Sequence, residues 1–321
     1  MSITVGVIGA GAMGTAVAQT VASNANVLLY ARREEICNDI NNTNVNSQYF
    51  PNVKLHENIT AVCDLNDLRN VEIVFLCIPS SVMRELVEKL NGIVNKDCIF
   101  VSTAKGIENK TNKTMTDIIK EITGRPPVAF SGPNIASEMV KNLSASTTIA
   151  CNDETYLNKV KNVLVTDSFK VNANTDVIGT EFCGIIKNVV AISQGICEGM
   201  DINNNARFAV FTKSYVETKD IIEKLGGKRD TVDDYCGFGD IVTASILSVS
   251  RNHTLGVLSG QGIVVDEKAS GVLFEGKNTV IILKNLCNQL NVKSLTVDFV
   301  YDVIINHVNP KTAFYNLWGQ L

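Results

Sequence analysis

The chain has 321 residues, 45% of them hydrophobic and 19% charged, with a formal net charge of -4. That is enough apolar material for a large buried core and enough length for two domains, which excludes a disordered or fibrous chain. An acidic balance without lysine or arginine runs also excludes the electrostatic footprint of a nucleic-acid or membrane-surface binder, so an anionic ligand must be met by a local basic cluster.

The N-terminus, Met1-Ser2-Ile3-Thr4-Val5-Gly6, puts no basic segment ahead of an apolar one, and no signal peptide is expected. No apolar run approaches the roughly 20 residues that span a bilayer. Apolar, β-branched runs at 3–8, 27–30, 71–78, 99–102, 128–130 and 147–150 read as strands. They lack period-two alternation, as strands covered on both faces do, and this predicts a parallel, doubly wound α/β sheet of the Rossmann type. From about residue 176 long helical segments take over, at 176–197, 204–225, 276–290 and 296–306. A boundary near 172–175 therefore divides an α/β domain, residues 1–173, from an all-helical C-terminal domain, residues 174–321. The nine cysteines include no C-x-x-C pair, and several stand in apolar runs. They are expected to be reduced thiols of a cytoplasmic protein rather than disulfide or zinc partners. His56, His253 and His307 form no ligand-spaced set, so no metal is expected.

The first strand, Val5-Gly6-Val7-Ile8, runs into Gly9-Ala10-Gly11-Ala12-Met13-Gly14 and then into a helical Thr15-Ala16-Val17-Ala18-Gln19. Glycines spaced G-x-G-x-x-G between a strand and a helix point to a dinucleotide. Gly9 makes the tight turn, Gly11 lets the backbone approach a pyrophosphate, and Gly14 lets helix and strand pack closely. The pyrophosphate then rests on the helix N-terminus, where free N–H groups and the dipole favour an anion. The alternative is a structural glycine turn in another kind of α/β protein. The second strand ends at Tyr30-Ala31-Arg32-Arg33, where a fold preferring NAD carries an acidic residue for the ribose. Two guanidiniums there suit a 2′-phosphate, so NADP is expected to be accepted and NADPH preferred over NADH. Otherwise Arg32 and Arg33 are a solvated basic pair ahead of Glu34 and Glu35.

Within the apolar stretch 176–197 stand Lys187 and Asn188. An ammonium there loses solvation, which lowers its pKa by as much as 3 to 5 units when burial is complete. Such a lysine exchanges protons near neutral pH and protonates the oxygen left when a hydride reaches a ketone carbon. Snorkelling to the surface is the plainer alternative. Two loops follow strands at the carboxyl edge, where doubly wound sheets bind ligands: Ser102-Thr103-Ala104-Lys105-Gly106 and Ser131-Gly132-Pro133-Asn134-Ile135-Ala136-Ser137-Glu138. Lys105 is placed to meet substrate and cofactor, and the second loop's amides to hold a small anion or hydroxyl, though either loop also fits ordinary turn chemistry. In the helical half, Gly237-Phe238-Gly239-Asp240 precedes Ser250-Arg251-Asn252. Arginine beside asparagine at a helix start suits a phosphate, and Asp240 is a partner that would set the protonation of Lys187.

In this order the motifs resemble the NAD(P)-dependent sn-glycerol-3-phosphate dehydrogenases over nearly the whole chain. The series comprises the glycine turn, residues 46–53, Ala104-Lys105-Gly106, residues 131–138 and 184–190, Gly239-Asp240, Ser250-Arg251-Asn252 and Phe274-Glu275-Gly276. The resemblance implies interconversion of dihydroxyacetone phosphate and sn-glycerol 3-phosphate with NAD or NADP, by a homodimer. It implies Lys187 as the acid/base, with Lys105, Asn188 and Asp240 at the reacting end. Arg251 and Asn252 are implied on the phosphate, with Ser250, Gly132 and Asn134 as further substrate contacts. Cofactor contacts are implied at Gly9, Gly11, Ala12, Met13, Gly14, Pro79, Lys105, Ala136, Arg251 and Glu275. Two positions depart from the family: Met13 where an aromatic residue is common, and Ala244 where threonine is common, with Thr243 next to it. Two other readings compete, a ketopantoate-reductase-like or β-hydroxyacid dehydrogenase acting on a carboxylate, and a nicotinamide-binding protein without chemistry.

Overall fold

The computed structural model describes residues 3–109, 111–246, 250–265 and 274–321. Apart from Asn109–Asn112, which group with the second unit, the chain divides between Val177 and Ile178 into two units. The first holds β1 (Thr4–Ile8), α1 (Ala12–Val21), β2 (Asn26–Tyr30), α2 (Glu34–Thr43), β3 (Ile59–Val62), β4 (Ile73–Leu76), α3 (Met83–Asn91) and β5 (Ile99–Ser102). After these come α4 (Met115–Thr123), β6 (Val128–Ser131), α5 (Ala136–Met139), β7 (Ala145–Ala150), α6 (Glu154–Leu164) and β8 (Phe169–Asn174). The strands form one sheet in the order β3-β2-β1-β4-β5-β6-β7-β8.

Every residue of β4, β5 and β6 is buried, so these strands read as unbroken apolar runs. Val5, Val7 and Phe75 pack on one face with α1, whereas Ile8, Leu76 and Phe100 pack on the other with residues of α3 and α4. Each such large side chain contributes about 1.5–3 kcal/mol on burial. The order 3-2-1-4-5-6 reverses direction at β1, whose neighbours are β2 and β4, and the carboxyl ends of those two strands flank the switch point where ligands bind in such sheets.

Sequence pattern misses two strands and one direction. β3 and β8 lie at the edges, and their partly exposed residues break the apolar run that marks the central strands. The sheet is parallel except at β6–β7, which pair antiparallel. The connection between them carries only the single turn of α5, too little helix for a parallel crossover. The expectation of nine reduced thiols also needs correction. Cys37 of α2 and Cys63 after β3 are joined in a disulfide, while the other seven cysteines are free. The partners are 26 residues apart and are brought together because α2 packs along β3, which no spacing rule detects.

The second unit contains helices and, among the described residues, no strand. It comprises α7 (Val177–Gly199), α8 (Asn204–Lys224), α9 (Asp240–Ile246), α10 (Arg251–Gly260), α11 (Glu275–Gln289), α12 (Leu295–Ile304) and α13 (Pro310–Trp318). α7 is buried over most of its length and meets α10 backbone to backbone. A Cβ on Gly195 would stand 2.2 Å from the His253 carbonyl oxygen and one on Gly199 2.1 Å from that of Val257. On the other helix, Gly256 and Gly260 would each approach a carbonyl oxygen of α7, at Ile192 and Ile196, to 2.3 Å. The two glycine pairs thus interlock and set the register of α10 on α7. Glu217 of α8, 2% exposed, accepts from the Leu295 and Thr296 amides at 2.9 and 3.0 Å and so holds the start of α12. No helix among the described residues is long and apolar enough to cross a membrane.

Candidate active site

At the carboxyl end of β1 the chain turns through Gly9 at φ +104°, a conformation that a side chain strains. A Cβ at Gly14 would fall 1.7 Å from the Gly9 carbonyl oxygen, so α1 lies against the turn only because Gly14 has none. Gly11 differs, since a Cβ there would meet nothing within 4 Å. Gly11 is also the N-cap of α1, makes no side-chain cap bond, and is followed by a first turn without acidic residues. An open backbone at an uncapped helix N-terminus fits a pyrophosphate. Met13 is half-buried and packs on the sheet core beside this turn. Ala12 opens α1.

Sequence reasoning leaves Asn46 without a role, because nothing local marks it. In the structure it is fully buried, and its Nδ2 donates to the Ala10 carbonyl at 3.0 Å and to Thr15 Oγ1 at 2.8 Å, pinning the glycine turn. Arg32 and Arg33 are both exposed at the end of β2, and neither pairs with a carboxylate among the described residues. Their charge is therefore available to an anion.

Further along the sheet edge, Lys105 follows β5 and donates to the Gly132 carbonyl at 3.1 Å, beyond the end of β6. Gly132 is held against β7, where a Cβ would come within 2.9 Å of the Thr147 Cα. Asn134 is present in the loop, but its amide turns to β7: Nδ2 donates to the Ser146 carbonyl at 3.0 Å and Oδ1 accepts from Thr147 Oγ1 at 3.1 Å. Ala136 opens the short α5, and Pro79 stands exposed after β4. Cys77 follows β4, and burial pushes its thiol up to about 12.

In the second unit Lys187 lies midway along α7. Its Nζ donates to Asp240 Oδ1 at 2.9 Å, with side chains 16% and 3% exposed. The pairing with Asp240 is the one expected from the residue types, and it takes the place of an unpaired buried ammonium. Asp240 reaches it from the start of α9, just after a π-helical turn at Tyr235–Gly239. Gly237 permits that turn, because a Cβ there would lie 2.2 Å from the Val232 carbonyl oxygen. Such turns re-aim the residues that follow them. Asn188 is buried beside the lysine. Ser250 is the N-cap of α10, although its hydroxyl makes no cap bond, and Arg251 is exposed in the first turn. Asn252 Oδ1 accepts from the Gly276 amide at 3.2 Å. That bond engages Oδ1, the acceptor end of the amide, and Nδ2 is its donor end. A Cβ on Gly276 would touch both Asn252 Oδ1 and Ile192 Cδ1, at 2.6 and 2.7 Å. Gly276 therefore lies between Asn252 and Ile192, and Ile192 is one helical turn along α7 from Asn188. Glu275 opens α11, and its side chain lies outside the described residues.

Residues 4–157 match the N-terminal family model of NAD-dependent glycerol-3-phosphate dehydrogenase, and residues 176–315 match the C-terminal one. The chain belongs to this family. The glycerol-3-phosphate dehydrogenase, NAD(P)+, of Clostridium acetobutylicum is 32% identical over 318 residues, 98% of this chain and 96% of that one. Its counterpart from Methanothermobacter thermautotrophicus is 35% identical, over 93% of this chain and 92% of that one. The crystal structure of the Coxiella burnetii glycerol-3-phosphate dehydrogenase superposes with a TM-score of 0.89 at 27% identity, covering 98% of each chain. A ketopantoate reductase from Ralstonia eutropha shares the fold at a TM-score of 0.64 and 14% identity.

Against the glycerol-3-phosphate dehydrogenase family, the departure at Ala244 has a visible local consequence. Ala244 is buried, and the Thr243 hydroxyl beside it donates to the Gly239 carbonyl at 2.8 Å, within its own helix. Thr243 therefore does not stand in for the threonine common one position on.

Proposed function

We propose that this protein interconverts dihydroxyacetone phosphate and sn-glycerol 3-phosphate, with Lys187 as the general acid/base. The observation that carries the assignment is Gly276, bonded through its amide to Asn252 and packed between Asn252 and Ile192, one turn from Asn188 on the helix that bears the Lys187–Asp240 pair. A proton donor and a phosphate-binding pair then face one small phosphorylated ketone.

When bound, the nicotinamide supplies the hydride to carbon 2 of the ketone and accepts it in the reverse direction. Lys187 gives a proton to the oxygen of that carbon as negative charge develops and takes it back on oxidation. Asp240, bonded to Nζ, orients the ammonium. The family resemblance assigns Lys105, whose Nζ donates to the Gly132 carbonyl, to the substrate. Arg251, through its charged guanidinium, and the neutral Nδ2 donor of Asn252 both hold the anionic phosphate through charge-assisted hydrogen bonds. Asn134, whose side-chain amide is engaged with β7 and whose backbone N–H donates to the Gly132 carbonyl at 2.7 Å, shapes the loop rather than binding substrate directly. In this reading residues 1–173 bind the cofactor and 174–321 the substrate. Arg32 and Arg33, which pair with no carboxylate among the described residues, support a preference for NADPH. The family resemblance supports a homodimer in the cytoplasm, and sedimentation velocity measures the assembly.

Steady-state oxidation of NADH and NADPH is the test. Turnover is expected with dihydroxyacetone phosphate and none with ketopantoate. Turnover of ketopantoate alone would overturn the substrate assignment, and cofactor binding without reduction of either ketone would overturn the catalytic one.

A further inference from the structure

One loop touches both ends of the cofactor-binding segment. Asn46 pins the glycine turn through the Ala10 carbonyl and Thr15 hydroxyl. Ser47 is tied to α2, its amide donating to Asp39 Oδ2 at 2.8 Å and its hydroxyl to Asp39 Oδ1 at 3.2 Å. Gln48 then accepts, through Oε1, a hydrogen bond from a terminal guanidinium nitrogen of Arg33. Three consecutive side chains thus fix the loop at the turn, at α2 and at the arginine.

We propose that Gln48 is a specificity-determining positioning residue, which presents Arg33 to the 2′-phosphate of NADPH. This rests on the reading that Arg32 and Arg33 receive that phosphate. A long arginine side chain on the surface samples many rotamers, and holding it in place before the ligand arrives lowers the entropy lost on binding. The chemistry of the acceptor matters as much as its position. An amide oxygen orients the guanidinium while leaving its charge uncompensated, whereas a carboxylate at the same place would neutralise it and repel the phosphate. Asn46 acts on a different part of the ligand, because the turn it holds serves the pyrophosphate common to NADH and NADPH. The loop therefore separates a shared contribution, from Asn46, from a discriminating one, from Gln48. Asp39 faces the same loop, and the Ser47 amide and hydroxyl with the Thr43 hydroxyl keep its carboxyl below the ordinary range. It is occupied with the loop rather than with Arg33.

The experiment measures the Kd of NADPH and of NADH by titration calorimetry on the full chain and on four variants. Arg33→Ala is expected to weaken NADPH about tenfold or more while leaving NADH within about twofold, as loss of a charged hydrogen bond to phosphate does. Gln48→Ala is expected to weaken NADPH by about threefold to tenfold with NADH unmoved. The isosteric Gln48→Glu is expected to weaken NADPH more than Gln48→Ala does, again without effect on NADH. Asn46→Ala is expected to weaken both cofactors by the same factor. The proposal is overturned if Gln48→Ala and Gln48→Glu leave the NADPH-to-NADH ratio at the original value while Arg33→Ala shifts it. If Arg33→Ala itself leaves the ratio unchanged, the arginine reading fails first and the role of Gln48 falls with it.

Discussion

A lysine and an aspartate 53 residues apart in sequence, 2.9 Å apart in space, concentrate the chemistry of the second unit. In the proposed mechanism, removing Lys187 deletes the proton donor that acts as the carbon–oxygen bond changes order. Lys187→Ala is therefore expected to lower kcat and kcat/KM together by about 10²–10⁴. On the proposed assignment of Arg251 to the substrate phosphate, which does not react, Arg251→Ala is expected to act mainly on the KM for dihydroxyacetone phosphate. Equal kinetic signatures for the two variants would argue against this division of labour. His253 sits two positions from Arg251 but has another role. It is 2% exposed, with Nε2 3.5 Å from Glu198, which Arg207 also engages at 2.8 Å. Burial, the main cause, holds its pKa below the ordinary 6.5, with Arg207 acting in the same sense and Glu198 against it. The unfolded chain then takes up this proton first on acidification. Stability from the neutral imidazole is complete above about pH 6.5 and is lost as pH falls through the folded-state value. Denaturant midpoints between pH 5 and 8 are expected to show a shallower acid-side slope in His253→Gln than in the original chain.

Helix contacts decide where those residues stand. The glycines of α7 and α10 leave no room for a methyl group, since the Cβ of Gly256 would overlap the Ile192 carbonyl oxygen at 2.3 Å. Gly256→Ala is expected to cost about 1–3 kcal/mol, as overpacking does, and to raise the KM for dihydroxyacetone phosphate by displacing Asn252. A lowered Tm with unchanged KM would show that α10 adjusts without moving its first turn. On the first unit, the Cys37–Cys63 bond ties α2 to the chain after β3 and closes a 26-residue separation. Chain entropy values such a closure at about 3 kcal/mol. Asn41 already joins the same helix to Ala61, donating at 2.9 Å and accepting at 2.8 Å, so α2 keeps its place without the bridge. Cys37→Ser with Cys63→Ser is expected to lower the thermal midpoint while leaving NADPH affinity within about twofold, read by calorimetry in one preparation.

At the scale of the whole molecule, a net charge of -4 means that a doubly charged substrate and a dinucleotide are both drawn in by local groups. Binding to the native state alone stabilises it, and a cofactor at 100 times its Kd is expected to add about 2.7 kcal/mol. A thermal shift with NADPH and NADH that vanishes when Gly11 is replaced by a larger residue would place both cofactors on the turn after β1. A shift that persists would place them elsewhere.

Much of this protein is local in origin. The glycine turn, the apolar central strands and the change to long helices are legible because each depends on neighbours in sequence: a turn that only glycine makes, strands covered on both faces, and a repeat of 3.6 residues. Lys187, Asp240, Arg251 and Asn252 are legible as chemical types for the same reason. Their grouping is not. Beyond the Lys187–Asp240 pairing, which the residue types suggest, the packing of Gly276 between Asn252 and Ile192, the edge strands β3 and β8, the antiparallel β7, the Cys37–Cys63 bond and the grip of Asn46 and Gln48 on the cofactor segment all join residues far apart in the chain. Packing sets those distances, and packing responds to shape and burial contributed by many elements at once. The sequence by itself determined which groups are available and which backbone turns are possible. Only the tertiary structure decided which group meets which.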